Sequence, residues 1–233
     1  MSTRDACQGR GPRKVFLGNM AASLFLSAFT WTASAAYACD RAETTITTSP
    51  SPRQTVSSVQ TSLRALAALP RGQVDTLLIG DSLIVQWPVP PRSVTKFGVS
   101  GDRVQNVLWR LDQPEAGKVQ PKRVFLLIGT NNLGAGNTPC AIAAGILAAS
   151  ERMHVLWPDA DLAVIGIPVR RDNPSLDTAR RETNDIVREQ LKYSRYIDPD
   201  GVLNCTDQCT SFKVDKLHLS AKGYEALDSL LIK

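Results

Sequence analysis

The alternation of short apolar runs with longer amphipathic stretches constrains the fold of this 233-residue chain most strongly. Four apolar runs are typical of buried strands and end close to a glycine or proline: residues 74–79, 94–99, 124–128 and 162–167. Four helical patterns lie between or after them: residues 103–111, 142–156, 178–191 and 220–231. The alternation predicts an α/β fold, a three-layer α/β/α sandwich with a central parallel sheet.

The N-terminal residues resemble an export signal. A basic stretch ending at Lys14 precedes an apolar stretch and then small residues, so residues 1–35 are predicted to be a signal peptide, with cleavage after Ala35 or alternatively after Ala38. Polar residues interrupt the apolar stretch, which is short for a spanning helix, and the mature chain is predicted to have no integral membrane span. Localisation is therefore predicted to be secreted or periplasmic, with a lipoprotein anchored through Cys39 as the alternative.

Composition sets the predicted domain boundaries after the signal. Residues 36–55 are rich in Thr, Ser and Pro and predict an exposed, flexible tether, so that one domain covers residues 56–233. The net charge of +5 gives little support to a nucleic-acid partner, because three of these charges lie within residues 1–35 and no basic stripe follows. Oligomeric state is left open.

Four cysteines remain after the predicted cleavage, namely Cys39, Cys140, Cys205 and Cys209. An even number in an exported protein permits disulfides, and their pairing stays open. A bridge between Cys205 and Cys209 would stiffen the loop before residue 215. A zinc site is the competing interpretation, but it needs more ligands than this region offers. The sequence predicts no metal and no cofactor.

Three polar junctions follow predicted strands and are expected at one edge of the sheet. They read Gly80-Asp81-Ser82, Gly98-Val99-Ser100-Gly101-Asp102 and Gly129-Thr130-Asn131-Asn132. Asp102 and Gln105 also have the spacing of a capping box for the helix that follows.

Serine becomes a nucleophile when a base takes its proton, and only two histidines are present. His154 lies in a helical stretch and is predicted to be a partly buried helix residue. His218 follows Asp215 by three positions, so that one turn would bring the carboxylate to the imidazole. Ser82 is then the predicted nucleophile, with His218 as base and Asp215 orienting it.

The oxyanion that forms on attack by Ser82 needs hydrogen-bond donors. The backbone N–H groups of Ser82 and Gly101 and the side-chain amide of Asn131 are predicted to provide them. Gly101 is preferred to Gly98 because it directly precedes Asp102 at the helix start. Three other residues, Trp87, Trp109 and Arg103, could form a binding platform for carbohydrate or lipid. For each of them, packing in the core or exposure on a solvated helix face is predicted instead.

Taken in order, these blocks resemble the four signature blocks of the SGNH (GDSL-type) hydrolases over roughly residues 56–233. The longer stretches around Gly101, Asn131 and His218 resemble the platelet-activating-factor acetylhydrolase catalytic subunits. One departure is Asn132, which stands where the family commonly has Asp. The likeness implies a flavodoxin-like SGNH fold and a serine esterase acting on short acyl, typically acetyl, esters.

Export makes a small-molecule or glycan ester outside the cytoplasm the predicted substrate. Three alternatives stay open: an O-acyltransferase that moves acetyl groups between sugars, a lysophospholipase-type lipid esterase, and a glycan-binding module without activity. Retention of Ser, Asp and His together argues against the last of these.

Overall fold

The computed structural model describes residues 39–88, 94–203 and 209–231. The predicted signal segment lies outside these residues. The strands are β1 (Gly72–Gly80), β2 (Val94–Gly98), β3 (Val119–Leu127), β4 (Asp161–Ile165) and β5 (Arg195–Ile197). The helices are α1 (Arg41–Thr48), α2 (Val56–Ala67), α3 (Ser82–Val85), α4 (Val104–Leu111), α5 (Thr130–Gly134), α6 (Pro139–Leu156), α7 (Asp177–Gln190), α8 (Asp200–Leu203) and α9 (Ala221–Leu231).

The five strands form one parallel sheet in the order β2-β1-β3-β4-β5. The chain passes from β1 to β2 at one edge and then returns to place β3 on the other side of β1. The carboxyl ends of β1 and β3 therefore flank the point where the strand order reverses, which is where open α/β sheets bind ligands. The predicted parallel sheet is confirmed.

Two apolar cores cover the two faces of the sheet. Along β1, Leu77 and Ile79 belong to one core and Leu78 to the other, as the period of two in a strand requires. Helices α2, α4, α6 and α7 contribute to the first core, and α3, α8 and α9 to the second. This arrangement confirms the three-layer sandwich, and it places Trp87 fully inside the second core.

The helix and strand predictions were incomplete, since α2, α3, α5 and α8 were not predicted, and one detail was wrong. Strand β5 was not predicted either, because its three residues, Arg-Tyr-Ile, are too few to give a pattern. The capping box was placed one residue too early: α4 begins at Val104, and Asn106 Oδ1 accepts the backbone N–H of Arg103 at 2.9 Å. Asp102 does not cap this helix but lies buried, with its Oδ2 bound to Arg110.

The prediction of a flexible tether is wrong for residues 39–55, which the structure holds against the domain. Asp40 caps α1 by accepting the Glu43 N–H at 2.8 Å. Thr47 on α1 is fully buried and donates to the Ala141 carbonyl at 2.6 Å. A disulfide joins Cys39 to Cys140, the second residue of α6. We call residues 39–55 the N-terminal strap.

The disulfide also bears on the other cysteine predictions. Because Cys39 is bonded to Cys140, its sulfur is not free to carry the lipid of a lipoprotein. Cys209 is also disulfide-bonded, whereas Cys205 lies outside the described residues. Within residues 39–88, 94–203 and 209–231, no helix is long and apolar enough to cross a membrane, and no group of His, Cys, Asp or Glu side chains could hold a metal ion.

Candidate active site

Ser82 stands at the first residue of α3, directly after β1. The turn is tight because Gly80 packs against β3, where a Cβ would lie 2.0 Å from the Leu127 carbonyl oxygen. Asp81 then caps α3 by accepting the Leu83 N–H at 2.9 Å on Oδ1. These contacts present the Ser82 side chain, which is only partly buried, at the carboxyl edge of the sheet.

Asp215 and His218 lie on one turn before α9. Oδ1 of Asp215 accepts the backbone N–H groups of Leu217 at 3.0 Å and His218 at 2.9 Å, and Oδ2 lies 2.8 Å from His218 Nδ1. The turn requires a left-handed conformation at Lys216, whose φ is 57°. Hydrogen bonds to the charged form, foremost that from the His218 N–H, lower the pKa of Asp215 to about 2.

His218 connects this turn to Ser82. Its Nε2 lies 3.0 Å from Ser82 Oγ. An Nδ1–H group that donates to the ionised Asp215 leaves Nε2 as the acceptor for the serine hydroxyl. His218 is 20% exposed and Asp215 is 50% exposed, so the line of three groups opens to solvent. This arrangement can take a proton from Ser82 when the hydroxyl attacks a substrate.

The other two junctions meet beside Ser82 through the side chain of Asn131. Asn131 Nδ2 donates to the Asp102 carbonyl at 2.9 Å and to Asp81 Oδ2 at 3.3 Å. Asp81 directly precedes Ser82, and Asp102 directly follows Gly101, so the amide links all three junctions. Gly101 has a φ of 80°, which glycine adopts without strain. The predicted oxyanion donors are thus grouped at one place.

The contact from Asn131 to Asp81 is the longer of the two and exceeds the usual range for an N–H···O bond. An incoming oxyanion can accept a hydrogen bond from that N–H in place of Asp81, while the bond to the Asp102 carbonyl continues to hold the amide. The structure therefore offers a donor that is oriented before substrate arrives.

A buried charge cluster lies behind these donors, and the sequence did not reveal it. The fully buried Arg110 donates from Nε to Asp102 Oδ2 at 2.9 Å, from Nη1 to the Phe97 carbonyl and from Nη2 to the Gly80 carbonyl. Asp81 shares the cluster, where burial raises its pKa to about 7. One arginine thus faces two buried carboxyl groups, and it donates a hydrogen bond to that of Asp102.

Asn132 also has a structural role. The side chain is fully buried, its Oδ1 accepts the Val104 N–H at 2.9 Å, and its Nδ2 donates to Asn137 at 3.2 Å. The residue therefore supports the start of α4, beside Gly101, and binds the loop before α6.

The remaining candidates lie away from Ser82 or have other roles. His154 lies near the end of α6, at the opposite edge of the sheet, and stacks on Tyr193 with ring centroids 4.3 Å apart. Its predicted place as a partly buried helix residue is confirmed. Trp109 packs against the first core, and Arg103 is exposed at the start of α4.

A hydroxyl, an imidazole and a carboxylate in one hydrogen-bonded line, at the carboxyl edge of a parallel sheet, are the constellation of a serine hydrolase. Comparison with known proteins identifies the family. The profile of the GDSL-like Lipase/Acylhydrolase family matches residues 77–226, and the chain belongs to this family. It is a carboxylic ester hydrolase.

Among its relatives, human platelet-activating factor acetylhydrolase IB subunit alpha1 is 33% identical over 177 residues, which covers 68% of this chain and 76% of the relative. Two solved structures share the fold. A lipolytic protein of the G-D-S-L family from Veillonella parvula has a TM-score of 0.57 at 18% identity, over 69% of this chain and 96% of the other. An acetyl-xylooligosaccharide esterase from Geobacillus has a TM-score of 0.53 at 15% identity, over 70% of this chain and 95% of the other.

Proposed function

We propose that this protein is a serine esterase that removes short acyl groups, specifically acetyl, from carbohydrate esters outside the cytoplasm. The observation that carries the proposal is the line from Ser82 Oγ through His218 to Asp215, with bonds of 3.0 and 2.8 Å. Acetyl specificity is supported by the relationship to an acetylhydrolase and by the fold shared with an acetyl-xylooligosaccharide esterase. Export is supported by the signal-like N-terminus and by the Cys39–Cys140 disulfide, since such bonds persist in oxidising compartments.

The proposed reaction has two halves. His218 Nε2 takes the Ser82 proton as Oγ attacks the ester carbonyl carbon, and Asp215 stabilises the imidazolium that results. The negative oxygen is held by the backbone N–H groups of Ser82 and Gly101 and by the amide of Asn131. Collapse breaks the bond to the alcohol, which leaves with the proton from His218. Water then attacks the acyl-serine with His218 again as base, and the acid and free Ser82 are released.

The acyl-length dependence tests the proposed substrate class. Acetyl, butyryl and octanoyl esters of one alcohol are compared by kcat/KM. We expect specificity to fall with length, because each methylene that a short pocket cannot accommodate costs on the order of 1–3 kcal/mol. An optimum at octanoyl would contradict the acetylesterase proposal and favour a lipid substrate.

A second measurement separates hydrolysis from transfer. An acetylated xylooligosaccharide is incubated with an excess of a free sugar acceptor, and the products are resolved by mass spectrometry. A hydrolase releases free acetate and leaves the acceptor unmodified. Accumulation of acetylated acceptor would instead identify an O-acyltransferase that uses the same acyl-Ser82.

A further inference from the structure

The N-terminal strap ends in a polar pocket that adjoins the proposed oxyanion site. The pocket has a volume of about 290 Å³, at the small end for a ligand site. We call it the Arg53 pocket. The lining residues on which the argument depends are Arg53, Thr55, Ser58, Gly101, Arg103 and Asn106. Gly101 belongs both to this pocket and to the proposed set of oxyanion donors, so a group bound in the pocket would lie next to one of those donors.

Several contacts fix the strap where it enters the pocket. Ser51 donates its N–H to the Gln105 carbonyl at 3.1 Å and accepts from Asn106 Nδ2 at 3.0 Å. Arg53 Nη1 then donates to the Ser100 carbonyl at 2.6 Å. A Cβ on Gly101 would lie 2.5 Å from the same nitrogen, so the guanidinium lies directly against the glycine backbone. The strap therefore delivers a fixed cation to the edge of the active site.

The charge around the pocket is positive and is not neutralised locally. None of the ten lining residues is Asp or Glu, and neither Arg53 nor Arg103 forms an ion pair with any residue that the structure describes. Burial raises the pKa of Asp102, and the charge of Arg53 is among the influences that lower it. The Asp102 carboxylate is nevertheless buried and already bound to Arg110. Helices α2 and α4 both begin at the pocket, and the positive ends of their dipoles also favour an anion.

We propose that the Arg53 pocket binds an anionic group, a carboxylate or a phosphate, carried by the alcohol part of the ester substrate. The inference rests on the proposed esterase function and specifies its substrate class. The anion belongs to the alcohol because the proposed acetyl group carries no charge. Arg53 and Arg103 donate charge-assisted hydrogen bonds to it, and arginine is well suited to both anions because its donors match their oxygens in pairs.

The test compares kcat/KM, measured by acetate release, for two matched pairs of esters. In the first pair, the methyl glycoside of an acetylated galacturonic acid carries a free carboxylate, and its methyl ester is neutral. In the second pair, acetylglycerol phosphate is anionic, and acetylglycerol is neutral. We expect at least about a tenfold preference for the anionic member of one pair or both at low salt. A preference in the first pair alone identifies the anion as a carboxylate, and a preference in the second pair alone identifies it as a phosphate.

Variants connect the preference to the pocket. Arg53→Gln and Arg103→Gln should each reduce the anionic-to-neutral ratio to below about threefold, whereas Arg53→Lys should retain part of it. Arg64→Gln is the matched control, because Arg64 is exposed in the last turn of α2, away from the pocket, and should leave the ratio unchanged. Added salt should lower the wild-type ratio as well, since the pocket is open to solvent. Circular dichroism and thermal melting confirm that each variant is folded.

Three outcomes would overturn the inference. One is a wild-type enzyme that hydrolyses the neutral esters without preferring the anionic ones. A second is a ratio that Arg53→Gln leaves unchanged while both rates fall equally, which would place Arg53 in oxyanion stabilisation. A third is an equal loss of the ratio in Arg64→Gln. Failure of the proposed function is distinct, because the wild type would then hydrolyse neither the neutral members nor a simple aryl acetate.

Discussion

Replacement of Arg110 by methionine tests the buried cluster behind the candidate active site. Arg110 is fully buried and makes three hydrogen bonds, to the Asp102 carboxylate and to the carbonyls of Phe97 and Gly80. Methionine has a similar length but no donor. The variant therefore leaves the carboxyl groups of Asp102 and Asp81 buried without a cation.

Breaking a buried ion pair by removing one partner costs about 3–5 kcal/mol, because the remaining charge is left uncompensated. This is a large part of the 5–15 kcal/mol by which domains are typically stable. For a domain of this size, about 1 kcal/mol corresponds to roughly 2–4 °C, so Tm should fall by about 6–20 °C. Urea denaturation at pH 8, followed by tryptophan fluorescence, measures the free energy directly. Trp87 provides a buried reporter.

The pH dependence of the free energy of unfolding tests whether the uncompensated carboxyl groups cause the loss of stability in Arg110→Met. The pKa of Asp81 is about 7 in the fold against 3.8 in an unperturbed side chain, so the folded state holds this proton more tightly. Its contribution to stability is present below pH 4 and is lost as pH rises towards 7. Arg110 lowers the pKa of both carboxyl groups, so its removal raises both further. The stability deficit of Arg110→Met should therefore be smaller at pH 5 than at pH 8.

Arg181→Met is the matched control. Arg181 forms an ion pair with Asp177 on the surface of α7 and is 63% exposed. Its replacement should change stability by less than about 0.5 kcal/mol at either pH, as is usual for exposed pairs. A loss in Arg110→Met no larger than in Arg181→Met, or a larger deficit at pH 5 than at pH 8, would refute the proposed energetics of the cluster.

Three further predictions concern the nucleophile, the histidines and the strap. Ser82→Ala should reduce kcat with an aryl acetate by roughly three orders of magnitude or more at unchanged Tm; near-normal activity would remove Ser82 from the mechanism. His154→Gln should keep wild-type kcat/KM while His218→Gln loses it, and the reverse result would exchange their roles. Cys140→Ala opens a disulfide that spans 101 residues and should cost about 2–4 kcal/mol in urea denaturation; an unchanged midpoint would contradict a stabilising bridge.

The layered fold could be predicted from the sequence because strands β1, β3 and β4 each contain a run of four or five consecutive buried residues. A segment of strand that is covered on both faces is continuously apolar, as in the run from Leu77 to Ile79. Such a run can be recognised in the sequence without knowing which strands and helices lie beside it. The edge strand β5 gives no such signal, because Arg195 and Tyr196 are only partly buried.

The predicted site residues were identifiable because each lies at a strand end or on a short turn. Sequence spacing alone brings Asp215 to His218, and strand order brings Ser82 towards Asn131. The role of Arg110 could not be read in this way. A helix pattern places an arginine on the solvated face by default, and its burial here depends on two carboxyl groups that come from separate junctions.

The strap shows why composition misled the prediction for residues 39–55. Thr, Ser and Pro are typical of unstructured segments because they bury little apolar surface. Here the segment is held mainly by polar contacts and by a covalent bond. Glu43 accepts from both Asn137 and Thr138, and the disulfide joins Cys39 to a residue 101 positions away. None of these partners is apparent locally, because each depends on the folded position of α6.

The two halves of the candidate active site are held in physically different ways. Ser82 and Asn131 are fixed from behind by the buried cluster, Ser82 as the residue that follows Asp81 and Asn131 through its bond to the Asp102 carbonyl. Burial strengthens the bonds of the cluster and makes a lost partner costly. Asp215 is half exposed and depends on hydrogen bonds within its own turn. The carbonyl of Lys216 in that turn also accepts two backbone N–H groups from residues 171 and 172. Changes in the cluster should therefore affect stability and donor geometry together, whereas changes in the turn should affect the base while the fold remains intact.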